Sequence, residues 1–328
     1  MRILVTGGAG FIGSHFAKRL AAAGDSVVVL DKLTYAGNPR NLEGFEIPLE
    51  VGDIADPDAV ARAAAGCDAI VNFAAESHVD RSILAAGDFI TTDVYGTHVL
   101  LEHARAHGQR YVQVSTDEVY GDLPPGESAV EGDPLQPSSP YSASKAGGDL
   151  QVLAYVRTHG VNASISRGAN TYGPFQYPEK LISLFTTNAL DGEPLPVYGD
   201  GKQRREWIHA EDHCAGIELV LRHGEPGGIY NVGGEERENL DVIERILELT
   251  GASRGLLQHV ADRVGHDRRY SIDSAKLRAL GWEPKWDFTD GIAQTVAWYA
   301  ERRDWWEPIK SGDYLAYYRE QYAHRLAP

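Results

Sequence analysis

A run of glycines between a short apolar strand and a helical pattern constrains this 328-residue chain more than any other feature. Residues 2–6 read as a strand. Thr6-Gly7-Gly8-Ala9-Gly10-Phe11-Ile12-Gly13 follows at once, and residues 12–23 carry a helical pattern. Gly7, Gly10 and Gly13 are the residue type needed where a backbone turns sharply and comes close to a pyrophosphate. The helix then offers that anion unpaired N–H groups and the positive end of its dipole. A glycine triplet alone marks only a tight turn, but a strand before it and a helix after it make a dinucleotide-binding loop. Asp31 ends the next apolar run, eighteen residues past Gly13. A carboxylate there accepts hydrogen bonds from both adenosine ribose hydroxyls and repels a 2′-phosphate, which favours NAD over NADP. Lys32 beside it is a cation that would tolerate the phosphate. Asp53 and Ile54, after a weaker strand at 47–51, either hold the adenine edge or form a surface turn.

Further apolar runs at 69–73, 111–115 and 161–167 alternate with helical stretches at 80–106 and 141–159. That alternation predicts an α/β chain built on a doubly wound parallel sheet of the Rossmann type, covered on both faces. Pro48 restricts its run to a sheet edge or a strand start. After Asn170 the texture changes: Pro174, Pro178, Pro194 and Pro196 punctuate the chain, and five of six tryptophans lie in its last third. The expected division is a cofactor domain at 1–171 joined by a returning segment near 205–233, and a smaller α/β substrate-binding unit from 172–204 and 234–328. Residues 239–250 predict a helix in that unit. Thirty-one Lys+Arg against forty-seven Asp+Glu give a net charge of −16, which argues against nucleic acid or an anionic membrane as partner. Cys67 and Cys214 are too few for a disulfide framework and stand in no metal-ligand spacing, so no metal is expected. No apolar run approaches a membrane span. The N-terminus leads into glycines rather than a secretory leader, and a cytoplasmic location is expected.

Tyr141-Ser142-Ala143-Ser144-Lys145 opens a helix after Ser138-Ser139-Pro140. Residues four apart share a helix face, so the Lys145 ammonium would stabilise a Tyr141 phenolate able to take a proton from a sugar hydroxyl. Alone, such a pair is the ordinary content of a solvated helix; beside a dinucleotide loop it is far more specific. Ser115-Thr116-Asp117-Glu118 follows a strand whose carboxyl end borders the ligand crevice of an open parallel sheet. The Ser-x-x-Glu spacing also fits a helix capping box. Two adjacent carboxylates can otherwise divide an elimination, one protonated as acid and one ionised as base.

Taken with the motifs above, Asp31-Lys32-Leu33-Thr34-Tyr35-Ala36-Gly37-Asn38, Ala74-Ala75-Glu76-Ser77-His78-Val79-Asp80-Arg81-Ser82, Arg205-Glu206-Trp207 and Arg263-Val264-Gly265-His266-Asp267-Arg268-Arg269-Tyr270 show a resemblance. The chain resembles the extended short-chain dehydrogenases/reductases, and among them the dTDP-glucose 4,6-dehydratases, from residue 3 to about 300. The glycine and Tyr-x-x-x-Lys patterns mark only the superfamily, whereas Thr116-Asp117-Glu118 and Arg263-x-Gly265-His266-Asp267 point to the dehydratases.

The resemblance implies one bound NAD, a nucleotide-sugar substrate and a homodimer formed through the helices around 80–106 and 141–159. It implies that Tyr141, with Thr116 and Lys145, deprotonates the C4 hydroxyl, and that Glu118 as base and Asp117 as acid expel the C6 hydroxyl as water. Around the cofactor it adds Phe11, Ile12, Thr34, Ala74 and Thr171. Around the substrate it implies Ser77, His78, Arg81, Thr116, Asn170, Glu179, Lys180, Leu181, Pro196, Val197, Tyr198, Asn239, His266 and Tyr270. Arg205 and Arg263 would meet the diphosphate, although arginines in such a cluster also fit a solvated turn. Two positions depart from the pattern: Thr171 replaces a second asparagine, and Asp93 stands where the family has an asparagine able to donate a hydrogen bond. A nucleotide-sugar 4-epimerase or decarboxylase would share the cofactor loop and the Tyr–Lys pair but has no work for Asp117 and Glu118. A dehydratase for UDP-glucose would need only small changes in the base pocket. A non-catalytic NAD-binding scaffold predicts damage at Tyr141, Lys145 or Glu118, and all three are intact.

Overall fold

The computed structural model describes residues 1–312 together with Tyr314 and Tyr318; the remaining C-terminal part of the expected second unit lies outside the described residues. β1 (Arg2–Thr6), α1 (Phe11–Ala22), β2 (Ser26–Asp31), β3 (Leu49–Val51), α2 (Pro57–Ala63) and β4 (Ala69–Asn72) alternate as the apolar runs predict. The run at 47–51 shortens to a three-residue edge strand, and Pro48 stays outside it while its carbonyl accepts from Val29 N at 2.8 Å. β5 (Arg110–Thr116), α6 (Pro140–His159) and β6 (Ala163–Gly168) complete the alternation. The chain later returns through α8 (Ala210–His223) to β10 (Ile229–Val232), after α7 (Leu181–Asp191). The seven strands are parallel in the order β10-β6-β5-β4-β1-β2-β3. Order reverses between β1 and β4, so the crevice beyond their carboxyl ends is where a ligand binds. β5 is buried at all seven positions, as a central strand covered on both faces must be.

The stretch 80–106 is not one helix. It divides into α3 (Val79–Leu84), α4 (Ala86–Phe89), a π-helical stretch (Ile90–Gly96) and α5 (Thr97–His107). Ala85 leaves helical geometry at φ −147° and ψ 79°, which ends the first piece. At the π stretch the backbone passes so close to α6 that a Cβ on Gly148 would lie 2.8 Å from Asp93 O.

Beyond the large sheet, β7 (Asn170–Tyr172) pairs parallel with β9 (Arg204–His209), which pairs antiparallel with β11 (Glu235–Glu238). β8 (Leu195–Tyr198) pairs with β12 (Leu257–Val260). α7 and α9 (Asn239–Thr250), with α11 (Phe288–Glu301) after the short α10 (Ala275–Ala279), enclose a separate core around Phe185, Trp207, Ile246 and Phe288. The returning segment is therefore split: β9 joins the small sheet, while α8 and β10 join the large one. Among the described residues, no helix is long and apolar enough to cross a membrane.

Candidate active site

At the end of β1, Gly7 adopts φ +66°, and a Cβ there would sit 2.6 Å from Ala74 N. A Cβ on Gly13 would sit 2.3 Å from Gly7 O. Only glycine permits this approach of loop, helix and β4. Gly10 caps α1 without a side-chain hydrogen bond, leaving first-turn N–H groups for an anion. Gly7, Gly10, Phe11, Ile12 and Gly13 line a cavity of about 340 Å³ with Asp31, Lys32, Thr34, Asp53, Ile54, Ala74 and Thr171. Asp31 accepts from Ala9 N at 2.9 Å and Leu33 N at 2.8 Å, so it fixes the glycine loop as well as facing the cleft. Burial raises its pKa against those bonds. Lys32 Nζ lies 2.7 Å from Asp53 Oδ2, so its charge is already paired rather than presented to a 2′-phosphate. A cradle with no room for a Cβ, an uncapped helix start and a carboxylate at the end of β2 fit an NAD cofactor.

The same cavity receives Thr116, Asp117, Glu118, Tyr141 and Lys145. The Thr116 side chain, one residue past the expected cap, accepts from Glu118 N at 3.3 Å and caps a single 3₁₀ turn. That turn aims both carboxylates at the crevice instead of along a helix. Asp117 is 2 % exposed; one oxygen accepts from Thr116 Oγ1 at 3.0 Å and Oδ2 has no partner. Burial first, then the neighbouring Glu118 and Glu206 carboxylates, push its pKa well above the ordinary range. That direction favours the protonated form of Asp117.

Tyr141 begins α6, whose Ser139 forms a capping box with Ser142. The expectation that its phenol is acidified does not hold for the chain alone. Burial and the carboxylates of Glu118, Asp93 and Asp117 raise its pKa well above ordinary, against a hydrogen bond with Thr116. The Lys145 ammonium instead donates to Val114 O at 2.8 Å.

A second cavity of about 150 Å³ adjoins the first and shares Glu118, Asn170, Glu179, Lys180, Leu181 and Trp207 with it. His78, Pro196, Val197, Tyr198, Arg205, Asn239, Arg263 and His266 line its remainder. Burial holds His266 at about 4 and His78 well below its ordinary value, so both rings are neutral. Lys180, its pKa lowered by burial, donates to the carbonyl of Ser77, which lines the first cavity. Asn170 Oδ1, Gln203 Oε1, Trp207 Nε1, Asn239 Oδ1 and Arg263 Nε are buried without hydrogen-bond partners. Such a concentration of orphaned polar atoms is the mark of a site built for a polar ligand.

The arginines divide clearly. Arg204 and Arg269 pair with Glu236, and Arg268 pairs with Asp200 at 2.7 Å. Among the described residues no carboxylate lies within ion-pair distance of Arg205 or Arg263, which face the cavity. Arg81 and Tyr270 line neither cavity. Arg81 lies over the Tyr35 ring at 3.9 Å and beside Glu179 at 3.4 Å, while Tyr270 lies under the Arg205 guanidinium at 4.1 Å. The Thr171 hydroxyl is 2.7 Å from His213 Nδ1. Sequence reasoning missed Gln203, Trp207 and Asp80 in the second cavity. The period-two pattern of an extended segment carried the signal for two of them, since 203 and 207 share a face with Arg205.

Residues 3–233 match the NAD dependent epimerase/dehydratase family. The chain belongs to that family. It is 52% identical over 326 residues to a dTDP-glucose 4,6-dehydratase of Streptomyces niveus, covering 95% of this chain and 97% of that one. The crystal structure of DesIV, a dTDP-glucose 4,6-dehydratase from Streptomyces venezuelae solved with NAD bound, superposes with a TM-score of 0.92 at 53% identity, covering 94% of this chain and all of that one. A UDP-glucose 4-epimerase of Thermus thermophilus in complex with NAD gives 0.87 at 34% identity, covering 92% and 100%.

Proposed function

We infer that this chain is a dTDP-glucose 4,6-dehydratase that converts dTDP-glucose to dTDP-4-keto-6-deoxyglucose and water with NAD. One observation carries the reading: two adjacent carboxylates at the end of β5, both lining the cofactor cavity and Glu118 the second cavity as well, with Asp117 so buried that its protonated form is favoured. The similarity to named dehydratases over nearly the whole chain supports it.

NAD, held in the first cavity by the glycine loop at 7–13 and Asp31, would supply a hydride acceptor for C4 and then a hydride donor for C6, the proton that completes C5 coming back from Glu118. The chain supplies the proton chemistry. Tyr141 takes the C4 hydroxyl proton as a phenolate, a form that the positive charge of bound NAD would favour against the burial that raises its pKa in the chain alone, with Lys145 one turn away as the local cation. The resulting ketone acidifies the C5 hydrogen, which Glu118 removes. Asp117 gives its proton to the departing C6 hydroxyl, and water leaves. Arg205 and Arg263 meet the diphosphate, and Asn170 and Asn239 offer orphaned carbonyl oxygens to donors of the substrate. A 4-epimerase would use the same loop and Tyr–Lys pair but would give Asp117 no proton to deliver.

The homodimer belongs to this reading. Ile83, Leu84, Ile90, Tyr95 and Leu150 are exposed on α3, the π stretch and α6, an apolar surface suited to a second copy. So does a cytoplasmic location, where nucleotide sugars and NAD are available. The test is incubation with dTDP-glucose or UDP-glucose without added cofactor, followed by mass spectrometry. Loss of one water from the thymidine substrate, and far less from the uridine one, is expected. Unchanged dTDP-glucose refutes the reading.

A further inference from the structure

The fully buried Asp93 is an acidic group close to Tyr141 and Lys145 to which the proposed mechanism gives no task. It sits on the π stretch with 1 % exposure. Its Oδ2 lies 2.6 Å from Ser144 Oγ, and Ser144 Oγ lies 2.8 Å from Tyr141 O. Both neighbours of that hydroxyl are acceptors when Asp93 is ionised, yet a serine carries a single hydrogen. Meanwhile Oδ1 is sealed from water with no donor in hydrogen-bond geometry. An anion here would have only the shared Ser144 hydrogen and the pull of the Glu76 backbone amide to set against about four lone-pair sites, one oxygen being unpartnered, a costly arrangement. A carboxylic acid resolves the count: its O–H donates to Ser144 Oγ, freeing the serine hydrogen for Tyr141 O.

We propose that Asp93 is a positioning residue whose neutral acid form, bonded to Ser144, is the competent one, keeping negative charge away from Tyr141 and Lys145 on the same helix. The proposal rests on the assignment of Tyr141 as the base. The charged groups that face Asp93 agree with it. Burial pushes its carboxyl up to about 6, against the pull of Lys145, Ser144 and the Glu76 amide. From the loop after β4, Glu76 is itself pushed up to about 7 by burial, then by Asp93 and by Asp88 of α4. From α6, Tyr141 is made harder to ionise by the Asp93 anion. An asparagine would supply the neutral donor at every pH; an aspartic acid supplies it only while protonated.

The experiment compares kcat of wild type and Asp93→Asn with dTDP-glucose from acid to alkaline pH. The ratio of variant to wild type is expected near one at acid pH. It should rise several-fold as Asp93 ionises, up to about tenfold if the phenol pKa moves by about one unit, with KM unchanged. Ser144→Ala removes the bridging hydroxyl and should move the wild-type transition to higher pH. The infrared band of a protonated buried carboxyl should titrate over the same range in wild type and be absent from Asp93→Asn. That readout does not depend on turnover: no activity in any variant refutes the dehydratase reading, while the missing band refutes this one. A ratio flat with pH, or a Ser144→Ala profile identical to wild type, would overturn the proposal.

Discussion

Replacing Asp117 by asparagine should make the protein more stable and nearly inactive. The shape hardly changes, and the amide oxygen still accepts from Thr116 Oγ1, now at 3.0 Å. What disappears is an ionisable group held at 2 % exposure beside other carboxylates. Because its folded pKa is raised, the native protein binds a proton that the unfolded chain releases above about pH 3.9. Its contribution is therefore fully present below that pH and is lost as pH rises toward the folded value, at about 1.4 kcal/mol per unit. Asparagine has no such slope. For a chain of this length each kcal/mol moves Tm by roughly 1.5 °C. The variant should melt a few degrees above wild type at neutral pH, and the gain should vanish near pH 4. Without the acid, elimination should slow by about 10²–10⁴-fold. Thermal unfolding across pH and product assays read both effects. A Tm difference independent of pH, or turnover near wild type, would refute the reasoning that Asp117 is stored as a protonated acid.

Glu118→Gln should still oxidise C4, so nicotinamide absorbance should rise on mixing with substrate and persist, while no water is lost. Arg263→Ala and Arg205→Ala should each weaken substrate binding by about 1.5–3 kcal/mol, the range for a hydrogen bond to a charged group. Arg205→Ala should do more harm to stability, since its guanidinium also donates to Asp267 O at 2.9 Å. Calorimetry with dTDP and thermal unfolding separate the two. Leu84→Glu, at a side chain in the exposed apolar patch, should shift the protein toward monomer in sedimentation while leaving its fold intact.

Much of the large sheet was legible because parallel strands buried on both faces leave continuous apolar runs. β1, β2, β4 and β5 lie within a residue or two of those runs. The glycine loop was legible for the same local reason: strand, turn and helix are adjacent in sequence. The break at Ala85 and the π stretch were not: the π stretch lies against α6, where a Cβ on Gly148 would meet Asp93 O, a tertiary contact that no local pattern announces. The site divided similarly. Tyr141 and Lys145 are one turn apart and could be read directly. The raised pKa of the tyrosine comes first from its burial and then from Glu118, Asp93 and Asp117, brought from two other elements. Gln203 and Trp207 were within reach of strand alternation, but pairing of Arg204, Arg268 and Arg269 with acids, which leaves Arg205 and Arg263 to the cavity, required the folded chain.

The central claim is that hydride is borrowed from C4 and returned to C6 within one site while Glu118 and Asp117 remove water. The most direct measurement uses dTDP-glucose carrying deuterium at C4, with no cofactor added and the product analysed by mass spectrometry and NMR. The account predicts a product lighter by one water that keeps its deuterium at C6. Water loss with the label washed into solvent would contradict it.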